Sequence, residues 1–214
     1  MDTKAQIEAL GRKCVAVKAD LSKIEEIAPL FEAFEKNFGG MHLMVNNAGI
    51  TKFKPFLEVD PEMFELLTSV DYRATFFCAQ NAAKNMIVHG IKGSIVNICS
   101  NHRAMNFPIA SVYGSAKAAV YKLTQHIALE LAPHGIRVNS ISPGYIKVTD
   151  PNVVSDREKM MVSRIPVGRI GQPVEIANMV RFLASDEAQF ITGSDMLVDG
   201  GALLPALMDN TYIK

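Results

Sequence analysis

The sequence has no excess of either charge, with Lys plus Arg and Asp plus Glu at 22 each. That balance removes the electrostatic reason to expect a nucleic acid or an anionic membrane as partner. No uninterrupted apolar run approaches the length of a transmembrane helix. The opening residues, Met1 to Gln6, contain no apolar h-region, so no secretory signal is expected. Cysteine is scarce: Cys14, Cys78 and Cys99 are an odd number without metal-ligand spacing. Free buried thiols are therefore expected, no metal is, and a reducing cytoplasm fits best. There is no internal repeat, low-complexity segment or domain linker. What remains is a chain of 214 residues, 49% hydrophobic and 21% charged, enough for one globular domain (1–214) with a substantial core.

Short β-rich runs alternate with longer helical stretches. Lys13 to Ala19 reads as a strand, leading through Asp20 and Leu21 to Ser22-Lys23-Ile24-Glu25, a capping box that opens a helix to about Phe38. His42 to Val45 reads as a strand ending in Asn46-Asn47-Ala48-Gly49. Asp60-Pro61 is an N-cap with proline at the first helical position, and that helix should run to about His89. Gly93 to Ser100 and Arg137 to Ser142 read as further strands, the second closed by Pro143-Gly144. A helix from about Pro173 to Leu183 and a strand from Ser194 to Val198, ending in Asp199-Gly200-Gly201, complete the order. Near-continuous apolar strands separated by helices predict an α/β fold, a doubly wound parallel sheet covered on both faces. Asp20, Asn47 to Gly49, Ser100 and Pro143-Gly144 all follow strands, where such folds bind ligands.

Chemistry concentrates at Tyr113-Gly114-Ser115-Ala116-Lys117, with Ser100 thirteen residues upstream of Tyr113. Helix positions four apart share a face, so the Lys117 ammonium should lie beside the Tyr113 phenol. A neighbouring cation favours a phenolate and makes the phenol usable as a proton donor and acceptor. A hydroxyl at a strand end could hold the substrate oxygen while that proton moves. Tyr-x-x-x-Lys alone is a weak signal that needs context; read blandly, it is a half-buried tyrosine and a solvated lysine.

The context is the ordered set Asn46-Asn47-Ala48-Gly49, Ser100, Tyr113-x-x-x-Lys117, Pro143-Gly144 and Asp199-Gly200-Gly201. Over essentially the whole chain this set resembles the short-chain dehydrogenase/reductase family. The resemblance implies a Rossmann-type fold, NAD or NADP as cofactor, a small alcohol or carbonyl substrate, and a homodimer or homotetramer. It implies that Tyr113 is the acid in reduction and the base in oxidation. Lys117 would favour the Tyr113 phenolate and hydrogen-bond the nicotinamide ribose, and Ser100 would hold the substrate oxygen. Asp20 and Leu21 would contact adenine. Asn47, Ala48 and Gly49 would line the cofactor cleft, and Pro143, Gly144 and Ile146 would border the nicotinamide amide. Blander readings stand beside these. Asp20 could be a helix-opening residue, although Ser22 is expected to fill the cap. Asn46 and Asn47 could satisfy backbone groups, Asp199-Gly200-Gly201 is expected to be a turn, and His102 a solvated loop histidine. Cys99 should point to the opposite face from Ser100 and serve packing.

Three departures qualify the resemblance. The family's opening strand and Gly-rich turn, which cradle the cofactor pyrophosphate at a helix N-terminus, have no counterpart. The first glycine, Gly11, looks like the end of a later helix. Relative to the family the chain thus reads as N-terminally truncated by roughly forty residues, judged by the size of a βαβ unit. His42 to Val45 would then be an exposed apolar edge, unless Lys13 to Ala19 pairs beside it. Asp71 stands where the family has an asparagine that helps hold a proton-relay water. Thr149 falls one residue later than the family threonine. Loop residues such as His102 and Pro108 and the tail Asp199 to Pro205 are similar to the sugar and polyol, glucose 1-dehydrogenase-like branch. A 3-oxoacyl carrier-protein reductase is the alternative within the family. A catalytically silent homologue, acting through oligomer contacts of the helices Met63–His89 and Val112–Leu131, is the alternative outside it.

Overall fold

The computed structural model describes residues 3–148 and 155–204. Four strands form one parallel sheet in sequential order: β1 (Leu43–Asn46), β2 (Ser94–Ile98), β3 (Arg137–Pro143) and β4 (Asp195–Val198). The helices are α1 (Thr3–Ala9), α2 (Ile27–Phe38), α3 (Pro61–Thr68), α4 (Ala74–Val88), α5 (Ser111–Leu131), α6 (Asp156–Val162) and α7 (Pro173–Ala184).

The central strands are apolar on both sides because both sheet faces are covered, as parallel sheets require. On one face Ile95 and Val138 pack with Met86 and the alanines of α4 and α5. On the other, Val96 and Ile141 pack with Leu183 of α7. Small alanines at 79, 82, 83 and 128 let the helices approach the strands closely. Asp60 caps α3 as expected, accepting from the Met63 N–H, with Pro61 in the first turn. Between α3 and α4 the chain makes a π-turn over Ser69–Arg73 that carries Asp71 inward to complete burial. The sequence reading of one continuous helix did not include it.

The N-terminal third departs further. Lys13 to Ala19 forms no strand and does not pair with β1. Val15 and Val17 are 39% and 47% exposed, so the apolar alternation of this run finds no sheet face to bury against. The Ser22 capping box does not form either. Lys23 precedes a single 3-10 turn (Ile24–Glu26), and the Ser22 hydroxyl and N–H both donate to Asp20 instead. A second carboxylate, Glu26, accepts the Asp20 N–H at 2.6 Å. β1 is therefore an edge of the sheet, as the sequence implied, with Leu43 38% exposed. Thr149 lies outside the described residues.

Candidate active site

β2 and β3 end side by side, and the residues beyond them face the first turns of α5. The registers are held by buried polar side chains. Asn46 Nδ2 donates to Asn97 Oδ1 at 2.8 Å, and Asn97 Nδ2 donates to Thr124 Oγ1 at 2.9 Å, tying β1, β2 and α5 together. On the other side of β2, Asp195 accepts from Ser140, Ser142 and the Arg103 guanidinium, whose Nη2 lies 2.7 Å from Asp195 Oδ2. Arg103 also lies over the Tyr121 ring, 4.5 Å from its centroid. Sequence reasoning missed this Arg103–Asp195 clamp; its partners are 92 residues apart.

Within that frame α5 presents Tyr113 and Lys117 on one face, with the Lys117 ammonium 5.8 Å from the Tyr113 ring centroid. Lys117 is buried, donating to the Ile98 carbonyl at 3.2 Å. Asp71 Oδ1 lies 3.5 Å from the same ammonium and accepts the Ile50 N–H at 3.0 Å. Burial outweighs both contacts and pushes the Asp71 carboxyl above its ordinary value. Its second oxygen, Oδ2, is buried without a partner. A Cβ at position 49 would sit 2.7 Å from Asp71 Oδ1 and 3.3 Å from Lys117 Nζ, so a larger residue there would displace this pair. Ser100 is buried in extended backbone, and its Oγ accepts the His102 N–H at 3.2 Å.

Ser100, Tyr113, Lys117, Asn47, Gly49, Pro143, Gly144 and Ile146 all border one cavity of about 670 Å³. Asp71 joins them, as do Ile176, Ala177 and Val180 of α7, which no sequence pattern had marked. Ala48 and Leu21 line a different, apolar cavity between α2 and α4, and Asp20 lines neither. The hydrogen bonds from Ser22 that displaced its cap hold the Asp20 carboxyl below its ordinary value, as part of the turn opening α2. Cys99 is buried with its thiol donating to the Lys117 carbonyl at 3.0 Å, yet it borders the same cavity as Ser100. Strict alternation fails there because the strand ends at Ile98. Asp199 does form a turn, its carboxylate accepting from the N–H groups of Gly201 and Leu203.

His102 is not the solvated loop histidine expected. Its ring is half-buried among Phe53, Phe107 and Tyr113, with centroids 5.3 to 5.9 Å away. These side chains, with Ser100, line a second cavity of about 440 Å³ on the other side of Tyr113. The loop that closes it holds Ile109 at φ 68°, a left-handed conformation costly for a β-branched residue. The Ile109 carbonyl accepts the Lys54 N–H at 2.8 Å, which ties this loop to the segment after β1.

Residues 1–202 match the family described as enoyl-(acyl carrier protein) reductase. A short-chain dehydrogenase/reductase of Armillaria gallica is 38% identical over 207 residues, covering 92% of this chain and 78% of that protein. An L-rhamnose 1-dehydrogenase (NAD(P)(+)) of a Sphingomonas species is 38% identical over 201 residues, 92% of this chain and 79% of that one. The crystal structure of acetoin dehydrogenase from Salmonella typhimurium superposes with a TM-score of 0.89 at 36% identity, over 97% of this chain and 83% of that chain. The chain belongs to the short-chain dehydrogenase/reductase family. It spans about four fifths of the length of these relatives.

Proposed function

We propose that the protein is an NAD(P)-dependent oxidoreductase that interconverts a secondary alcohol and a carbonyl compound, with Tyr113 as acid and base. The observation that carries this reading is the convergence of Ser100, Tyr113 and Lys117 on one cavity at the carboxyl ends of parallel strands. The relatives named for acetoin and L-rhamnose point to small oxygenated substrates.

The nicotinamide half of the cofactor fits the residues present. Pro143, Gly144 and Ile146 form an apolar wall, and Asn47 and Gly49 offer close backbone approach. An ammonium has three donors; Lys117 gives one to the Ile98 carbonyl and faces Asp71 Oδ1 at 3.5 Å, which leaves it able to meet a ribose hydroxyl. Among the described residues no Gly-rich turn stands before β1 to receive the pyrophosphate. When bound, the nicotinamide supplies or accepts the hydride. Ser100 Oγ already accepts from the His102 N–H, which leaves its own O–H free to donate to the substrate oxygen. Tyr113 takes the hydroxyl proton in oxidation and returns it in reduction. Three free thiols suit a cytoplasmic setting, and no helix among the described residues is long and apolar enough to cross a membrane.

We read the chain also as one subunit of a homo-oligomer. Phe56 and Leu57 before α3, Val88 ending α4 and Leu129 on α5 are 76%, 94%, 78% and 77% exposed, large apolar side chains that contact with a second copy would cover. Light scattering coupled to size exclusion gives the state. The enzymatic reading is tested by nicotinamide absorbance with both cofactors and a panel of polyols, sugars and ketones. Turnover lowered at least about a hundredfold by Tyr113→Phe is expected; no turnover with any pair, or turnover unchanged by this substitution, sinks it.

A further inference from the structure

The second cavity contains a polar group that the proton-transfer chemistry leaves unused. Its wall is mainly apolar and aromatic, from Phe53, Phe107, Pro108 and Met161, with Thr51, Asn101, Asn106 and Tyr145 adding polar groups. Among its described lining residues Arg164 is the one with a permanent charge, and none is acidic. His102 shares this wall with Ser100 and Tyr113, and its ring meets the Tyr113 ring nearly edge-on, at 74°. Burial pushes the His102 ring below its ordinary value, with no carboxylate against it to oppose the shift, so it is neutral at pH 7.

The two ring nitrogens differ. Nδ1 is sealed from solvent and has no hydrogen-bond partner. Nε2 is not among the sealed atoms, and no described protein group bonds it. A proton on Nδ1 would bury a donor without an acceptor, whereas one on Nε2 stays open to a partner. The neutral ring therefore carries its proton on Nε2, the nitrogen left open for a ligand.

We propose that His102 is a specificity-determining residue, its Nε2–H donating to a second substrate oxygen on the carbon beside the reacting one. The preferred substrates are then vicinal diols and α-hydroxy carbonyl compounds rather than simple alcohols and ketones. This rests on the oxidoreductase reading for its kinetic consequence. The stack of rings around His102 keeps the donor fixed, so little freedom is lost when it binds. A substrate with one oxygen leaves that N–H dry and unpaired, which is where discrimination arises.

His102→Phe retains the ring packing and removes the donor; His102→Gln restores a donor at a similar reach. Turnover of 2,3-butanediol against 2-butanol is compared in the three proteins, each in its full-length form. The preference for the diol, read as the ratio of kcat/KM for the two substrates, should fall about tenfold in the Phe variant and recover in part in the Gln variant. Equal losses on both substrates, or an unchanged ratio, overturn the proposal. A second measurement does not depend on turnover. The ¹⁵N-resolved imidazole spectrum at pH 7 should show His102 neutral with its proton on Nε2, and that signal should move on adding 2,3-butanediol but not 2-butanol. A charged ring, a proton on Nδ1 or identical responses overturn it. Absence of turnover in the unmodified chain with a selective spectral response would fault the oxidoreductase reading and support the role of His102.

Discussion

Asn97 and Leu43 lie on adjacent strands in opposite surroundings. Asn97 is fully buried and bonded on both sides, while Leu43 stands at an edge with no strand beyond it among the described residues. The contrast extends to whole regions. Around β2, β3 and α5, side chains from distant segments lock each other through hydrogen bonds and the Arg103–Asp195 clamp. Before β1, α1 buries no residue, and residues 12–20 run without regular structure. Their ties to the rest are few: Lys13 donates to the Asn37 carbonyl and Arg73 to the Ser22 carbonyl, each at 2.6 Å. The first region holds the proton-transfer groups, with Asp71 of the π-turn beside Lys117. The second region leaves β1 as an edge of the sheet among the described residues.

The largest expected effect tests whether the central region carries the chemistry. Tyr113→Phe should cut turnover by about 10²- to 10⁴-fold while leaving the melting temperature nearly unchanged. Next, Asn97→Leu leaves the Asn46 amide without its acceptor in a dry interior and removes the donor to the Thr124 hydroxyl, which keeps its bond to the Val120 carbonyl. It should cost about 1–3 kcal/mol in urea denaturation. Asp71→Asn asks whether the region contains a built-in conflict. Burial raises the Asp71 carboxyl above its unfolded value of 3.8, so the folded state holds this proton more tightly than the unfolded one. That contribution is fully present below pH 3.8 and is lost as pH rises through the raised folded value. Denaturation between pH 4 and 7 should therefore show stability falling more steeply with pH in the native chain than in Asp71→Asn. A parallel pair of curves would refute it. The smallest effect belongs to the edge: Leu43→Lys should change stability by less than about 0.5 kcal/mol. It should still lower light scattering at high concentration, because a charge blocks edge-to-edge pairing.

The same two regions divide what could be read from the residues. β2, β3, β4, α3 and α5 were legible because apolar runs and the Asp60-Pro61 cap determine them locally. Ser100, Tyr113 and Lys117 were legible because strand ends and the four-residue helical spacing bring them together. Lys13 to Ala19 misled, since apolar alternation makes a strand only where a neighbour supplies its ladder and a face to bury. Ser22 misled because a capping box competes with shorter-range bonds, and Asp20 is two residues away. The burial of His102 depends on Phe53 and Phe107, and the π-turn at Asp71 on packing against Lys117. Neither contact leaves a trace in local spacing.

The three thiols turn this division into a clock. Burial pushes Cys78 up to about 11 and raises Cys99 as well, so neither offers appreciable thiolate to an alkylating reagent while the core is closed. Cys14 lies half-buried in the irregular segment ahead of α2. A reagent added to the native protein should therefore mark Cys14 first. Labelling at Cys78 and Cys99 would follow only as fast as the sheet and its covering helices come apart, so the order of modification timestamps the opening of each half without any engineered probe.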